Sequence, residues 1–313
     1  MTGVLQRHTP AARARAAATA VGLLAALTAC APGTGGEGIV VTTNILGDIT
    51  REVVGGEAAV TVLMKPDADP HSFGISAREA ATLENADLVV HNGLGLEEGI
   101  ARNVAAAEEA GVPALEVGAN VDPLPYASDE SEGEPDPHFW TDPERVLTAV
   151  DLITEHVVEE VEGVDAEAVR ANAEAYAVRV AELDAWMAGE FGALPEENRR
   201  LVTNHHVFGY LADRYGFEVI GAVIPSGTTL ASPSTSDLKD LSDAVAEAGV
   251  STVFADSSQP DRLVTVMAEE AGVEIEVVPL FSESLSREGG GAATYLEMMR
   301  ANTEAIAAGL GGD

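Results

Sequence analysis

Apolar positions fall into short continuous runs, separated by longer stretches in which they recur at helical spacing, and turn residues mark the changeovers. Residues 39–43 predict a buried strand, 45–54 a helix stopped by Gly55-Gly56, and 59–64 a second strand. The loop at the end of that strand runs from Lys65 to His71. Ser76-Ala77-Arg78-Glu79 is a capping-box pattern that opens the next helix. Residues 88–91 predict a third strand, 96–110 a helix closed by Gly111, and 113–117 a fourth strand. After residue 199 the pattern repeats: strands over 200–203, 218–222, 252–255 and 276–280, and helices over 207–215, 236–248, 262–271 and 295–308. Strand–helix–strand order in both halves predicts an α/β fold with mostly parallel sheets flanked by helices.

Between the halves, residues 144–194 contain one proline-free helical stretch broken near Gly163. Val169, Ala173, Tyr176, Val180, Leu183 and Met187 recur at alternating spacings of four and three, one apolar stripe on one helix. Residues 165–191 as helix extend about 40 Å. That length spans two small domains, so we read it as a rigid connector with its stripe packed against both. The expected organisation is an N-terminal lobe over 39–164, a linker helix over 165–192 and a C-terminal lobe over 193–313. Small lobe movements follow from a rigid linker, rather than wide hinge closure.

The first thirty residues read as an export signal: Arg7, Arg13 and Arg15 precede an apolar run over 16–29 that is short for a membrane span. The run ends in Leu27-Thr28-Ala29-Cys30, which resembles the lipobox of bacterial lipoproteins, and Cys30 is the sole cysteine. A single cysteine excludes an internal disulfide and a thiolate metal site. Residues 31–38 read as a flexible tether. No later run approaches membrane-spanning length, so the processed protein is expected to be soluble and held by its anchor.

The formal net charge of −35 becomes about −38 without the three leader arginines, and no basic patch opposes it. Nucleic-acid binding is thereby disfavoured, since phosphate contacts need clustered Lys and Arg. Ser128 to Asp136 carries much of the local acidity and reads as a solvated loop, with cation gathering near the following histidine as the alternative.

Candidate chemistry lies where strands end. Asp69-Pro70-His71 and Asp136-Pro137-His138-Phe139-Trp140-Thr141-Asp142-Pro143 each present a histidine after a rigid Asp-Pro pair. Asp142-Pro143 is a good helix start, so a helix anchors His138 from behind. The strand over 200–203 delivers Asn204-His205-His206, and the strand over 276–280 delivers Phe281-Ser282-Glu283. Loop-borne imidazoles raise the question of a metal. The residues alone leave His205 and His206 as alternatives. Asp69, Asp136 and Asp142 are candidates to orient an imidazole through its second nitrogen. Among the remaining histidines, His8 leaves with the leader, His91 is a satisfied strand-end residue and His156 lies on a helix surface.

The lipobox, the two Asp-Pro-His motifs, Thr203-Asn204-His205-His206-Val207-Phe208-Gly209-Tyr210-Leu211 and Leu280-Phe281-Ser282-Glu283-Ser284-Leu285, in this order, resemble the zinc/manganese solute-binding lipoproteins of bacterial ABC importers. This is the cluster A-I, ZnuA/TroA-like family, and the resemblance covers essentially the whole chain after the leader. It implies two α/β lobes joined by one rigid helix, with metal held between them by His71, His138, His205 and Glu283. The family pattern selects His205 over His206. It also implies a membrane permease with its ATPase as partners, a lipid anchor at Cys30 outside the cell membrane, and a monomer. A metallochaperone is a further partner of this kind. Relatives commonly carry aspartate where Glu283 stands, and zinc importers often carry a histidine-rich loop where residues 128–136 are acidic.

Three imidazoles and one carboxylate suit tetrahedral Zn²⁺, whereas Mn²⁺ prefers more oxygen ligands and higher coordination. Zinc is therefore the expected cargo, with manganese or iron as the alternative. A zinc hydrolase with Glu283 as general base is the competing function class. The chain has no His-Glu-x-x-His and no nucleophile elbow, so a carrier rather than an enzyme is expected.

Overall fold

The computed structural model describes residues 2–3, 38–127, 131–257, 265 and 275–311. The leader with Cys30, the tether and the helix expected over 262–271 lie outside these residues, but for 2–3, 38 and 265.

Strands β1 (Ile39–Val41), β2 (Val60–Val62), β3 (Leu88–His91) and β4 (Ala114–Glu116) form a parallel sheet in the order β2-β1-β3-β4. Strands β5 (Arg200–Thr203), β6 (Glu218–Ala222), β7 (Thr252–Asp256) and β8 (Glu276–Leu280) form a second one in the equivalent order, β6-β5-β7-β8. The central strands β1 and β7 are buried throughout, as sheets covered on both faces require. Parallel strands place all their C-terminal ends on one edge, which is where a ligand site forms in such sheets.

Helix boundaries follow from local chemistry. Helix α1 (Asn44–Val54) starts on Thr43, whose side chain accepts from the Leu46 amide, and stops at Gly55, whose φ of 63° is the left-handed cap conformation that glycine adopts without strain. Helix α2 (Ala77–Glu84) carries the expected capping box between Ser76 and Glu79. Helix α4 (Pro143–Glu160) begins with Asp142 as cap and Pro143 in its first turn. Helices α6 (Gly209–Tyr215) and α7 (Thr235–Ala248) follow β5 and β6, and α8 (Tyr295–Gly311) closes the described chain.

One expectation is corrected. The helix predicted over 96–110 forms only as α3 (Ala101–Glu109). Glu97 is buried, and its carboxylate accepts the backbone amides of Asn92 (2.7 Å) and Gly93 (3.0 Å) and the Thr42 hydroxyl (2.7 Å). Holding that carboxylate at the strand ends pulls residues 94–100 into turns, with Leu94 at φ 51°.

Helix α5 (Ala166–Gly192) is capped by Asp165 and joins the two sheets in sequence. Every stripe residue, Val169 to Met187 with Phe191 added, is buried. Burying each of its Val, Leu, Met and Phe side chains contributes about 1.5–3 kcal/mol. Near its start Asn172 donates to the Val54 carbonyl and Arg179 pairs with Glu52 of α1. Farther along, Asp184 accepts from Arg214 and Tyr215 of α6, and Trp186 lies under Arg300 of α8. The main core is one continuous cluster that includes Ile39 and Val90 of the first sheet, the α5 stripe, and Phe254 and Leu280 of the second. Two smaller clusters include Val40, Leu83 and Val104 in the first lobe, and Val202, Leu241 and Val245 in the second. No helix among the described residues is long and apolar enough to cross a membrane.

Candidate metal centre

Each of the four side chains is delivered by a loop that follows a strand. His71 comes after β2, His138 from the long connection after β4, His205 directly after β5 and Glu283 after β8. Local bonds fix the loops: Asp69 Oδ1 accepts the His71 amide at 2.9 Å and Asp136 Oδ1 accepts the His138 amide at 2.9 Å. Both Asp-Pro-His segments therefore use the aspartate to close a tight turn around the histidine.

The four side chains converge. Among the described residues they form the one group of three or more His, Cys, Asp or Glu able to hold a metal ion, with ligand atoms within 4.8 Å of one another. Glu283 Oε1 lies 2.9 Å from Nε2 of His71, 3.1 Å from Nε2 of His205 and 3.3 Å from Nε2 of His138. None of the four is more than 1% exposed. Burying three imidazoles and a carboxylate this completely is costly unless they are mutually paired or hold an ion. His206 points elsewhere, its ring 6.4 Å from that of Tyr126.

Behind the cluster, Nδ1 of His138 donates to Asp136 Oδ1 at 2.7 Å. That bond leaves Nε2 as the nitrogen that faces the centre and raises its basicity. Nδ1 of His205 lies 3.0 Å from Asn204 Nδ2. An amide suits either ring tautomer, donating through nitrogen to a bare Nδ1 or, turned over, accepting through oxygen from Nδ1–H. Nδ1 of His71 and Oε2 of Glu283 are buried with no hydrogen-bond partner.

The electrostatics bind the four together. Burial opposes ionisation of Glu283, but the charges on His205 and His71 and the contact with His138 overcome it and hold the carboxyl well below its usual range. Burial likewise opposes protonation of His138, yet Asp136 and Glu283 prevail and hold its pKa up at about 9. A divalent cation held here would replace those protons as the positive charge beside the carboxylates.

Of the three aspartates considered as orienting groups, Asp136 alone bonds a ring nitrogen. Asp69 binds backbone and hydroxyl donors, and Asp142 caps α4 and pairs with Arg145 and Arg214. Asp136 also corrects the reading of the acidic stretch as wholly solvated: it is buried, while residues 132–135 are exposed and 128–130 lie outside the described residues. His91 ends β3 as expected, but its Nε2 is buried without a partner instead of satisfied. His156 is half-buried on α4, its Nδ1 2.8 Å from the Leu152 carbonyl. Asn204 and Tyr126 carried no sequence signal of their own beyond their nearness to the motifs.

Comparison with known proteins agrees with this architecture. The ZnuA family, described as zinc-uptake complex component A, periplasmic, matches residues 39–309. The manganese-binding lipoprotein MntA of Halalkalibacterium halodurans is 31% identical over 277 residues, covering 88% of this chain and 89% of that protein. The iron-binding protein YfeA of Yersinia pestis is 30% identical over 273 residues, 87% of this chain and 86% of its own length. The solved structure of the periplasmic zinc-binding protein TroA from Treponema pallidum superposes with a TM-score of 0.80 at 27% identity, over 89% of this chain and 100% of that one. Those names span three metals but share metal binding, and the family description adds uptake. With two parallel-sheet lobes and a buried histidine–carboxylate cluster, the chain belongs to the ZnuA/TroA family of substrate-binding proteins, which serve the permease and ATPase of metal ABC transporters.

Proposed function

We propose that this protein is the zinc-binding lipoprotein of a metal importer, holding one Zn²⁺ between its lobes through His71, His138, His205 and Glu283. The supporting observation is the convergence of three Nε2 atoms and one carboxylate oxygen from four buried side chains. Three nitrogens and one oxygen satisfy tetrahedral zinc, and four protein ligands leave no open position for a reacting water. Cleavage before Cys30 and lipidation of that cysteine would anchor the chain outside the cell membrane through the tether at 31–38. The relative named MntA is itself called a lipoprotein. On this reading the lobes comprise residues 39–164 and 193–313, joined by a rigid linker over 165–192. The carrier works as a monomer and delivers its ion to the permease. A metallochaperone is an alternative source to free zinc.

A second reading, manganese as cargo, is favoured by one atom. Glu283 Oε2 is buried without a hydrogen-bond partner. If both oxygens bind, the site becomes five-coordinate and richer in oxygen, which suits Mn²⁺ better. The relative named manganese-binding points the same way.

Metal analysis separates the two. Protein without its leader, stripped of metal, is equilibrated with equal zinc and manganese and dialysed, alongside Glu283→Ala and His205→Ala. One zinc per chain, weakened in both variants, is the expected result. Retained manganese would establish the second reading, and full zinc retention by Glu283→Ala would remove that residue from the ligand set.

A further inference from the structure

All three histidines are connected, through the residues behind them, to a single segment of the second lobe, the loop between β6 and α7. Behind His71, Asp69 spends Oδ1 on the His71 amide and Oδ2 on the Ser72 hydroxyl (2.9 Å) and the Thr229 hydroxyl (2.7 Å). Behind His138, the Tyr126 hydroxyl lies 3.4 Å from Nδ1 and donates to the Gly227 carbonyl at 3.2 Å. Beside His205, the Ile224 amide donates to the Asn204 carbonyl at 2.8 Å and the His206 amide to the Ser226 carbonyl at 3.3 Å. The Gly227 amide donates in turn to the Ser131 hydroxyl at 3.2 Å. Gly227 is also a steric requirement: a Cβ there would lie 2.2 Å from the Tyr126 hydroxyl oxygen.

Glu283 is held by a different kind of structure. The Leu285 amide donates to Asn44 Oδ1 (2.9 Å), Asn44 Nδ2 to the Ser284 hydroxyl (2.8 Å), and the Trp140 indole to the Ser282 carbonyl (2.9 Å). Every residue in that set is buried. In the loop after β6, by contrast, only Ser226 of residues 224–230 is buried, and Leu230 is 52% exposed. Segments with few buried contacts open at a small fraction of the global unfolding free energy. Of these two second-lobe segments that reach the first lobe at the site, the loop after β6 is far easier to displace.

We infer that residues 224–230 form a strap across the metal cleft, in which Thr229 and Gly227 are positioning residues that hold His71 and His138 through Asp69 and Tyr126. Displacement of this strap, rather than separation of the lobes, sets how fast the ion leaves. The inference rests on the reading of the four side chains as the metal site. Removing the Thr229 hydroxyl leaves Asp69 bonded to the His71 amide, so the ligand set survives while the strap loses a tie to the first lobe. A lost hydrogen bond to a carboxylate corresponds to release faster by about tenfold or more.

The test uses leaderless protein loaded with one equivalent of zinc and mixed rapidly with excess chromophoric chelator. Thr229→Val, Thr229→Ser and Gly227→Ala are compared with the parent. The expected result is unchanged stoichiometry, release about tenfold faster in Thr229→Val and Gly227→Ala, and a near-parental rate in Thr229→Ser. Rates within twofold of the parent in both Thr229→Val and Gly227→Ala would overturn the strap while leaving the metal site standing. The site itself is tested separately by His71→Ala. If that variant holds zinc as tightly as the parent, the four-ligand site falls, and the strap falls with it.

Discussion

Asp136 Oδ1 accepts two hydrogen bonds from His138, one from the backbone amide at 2.9 Å and one from Nδ1 at 2.7 Å. A single carboxylate oxygen therefore fixes both where the histidine sits and which ring nitrogen faces the centre. The Tyr210 hydroxyl reaches across from the second lobe to donate to the Asp136 carbonyl at 2.7 Å, so this orienting residue is itself tied to both lobes. Asp136→Asn keeps the shape and removes the charge. Zinc affinity, measured by chelator competition, should fall about 10–100-fold with the fold intact. An unchanged affinity would mean that His138 needs no carboxylate behind it.

The raised pKa of His138 sets a pH dependence with opposite signs for stability and for binding. Its folded value of about 9 lies above the ordinary 6.5, so protonation stabilises the metal-free fold. That contribution, on the order of 3 kcal/mol, is complete below about pH 6.5 and is lost as pH rises through about 9. Metal must displace the same proton, so affinity should rise roughly tenfold per pH unit between pH 7 and 9 and then level off. Denaturant titrations of metal-free protein and proton release on zinc addition measure the two halves.

Asp48 also loses stability as pH rises, but in a lower window. Its carboxylate accepts the Tyr295 amide at 2.8 Å, where α8 begins against α1. Burial drives its pKa up to about 6 from 3.8. An acid whose folded pKa is raised loses stability as pH climbs from about 4 to about 6, by up to about 3 kcal/mol. Asparagine retains the acceptor without the charge. Asp48→Asn should therefore stabilise the protein at pH 7 and give no gain at pH 4, a difference visible in Tm against pH.

Leu183 is fully buried on α5, in the cluster that runs through both lobes. Leu183→Ala should cost about 2–5 kcal/mol. Because one core serves both sheets, unfolding should remain a single transition in the parent and the variant. Two separated transitions would show that the lobes are stabilised independently.

The same continuity limits motion. Metal-free and zinc-loaded crystal structures should superpose closely over both sheets and α5, with differences confined to loops around the site. A rotation of tens of degrees between the lobes would contradict a linker packed along its whole stripe.

Much of this architecture was already legible along the chain, because local chemistry dictates it. Capping residues at 76, 142 and 165, the buried runs at 39–41 and 252–256, and the stripe from Val169 to Met187 declare strands and helices through short-range forces alone. The pattern equally placed His71, the His205-His206 pair and Glu283 just past strand ends, and His138 just before a helix start. What the chain could not declare is anything that depends on which distant segments meet. The shortened α3 follows from Glu97 reaching back to Thr42, a contact across 55 positions. The choice of Asp136 over Asp69 and Asp142 as the ring partner depends on angles set by separate turns. The ties from Thr229 to Asp69 and from Gly227 to Tyr126 span 160 and 101 positions, between residues with no pattern in common. Periodicity and capping act over a few residues, so the elements and the types of side chain offered to the site could be read along the chain. The facing of one lobe's loops against the other's is a matter of packing through α5, a long-range arrangement that no short stretch of chain encodes.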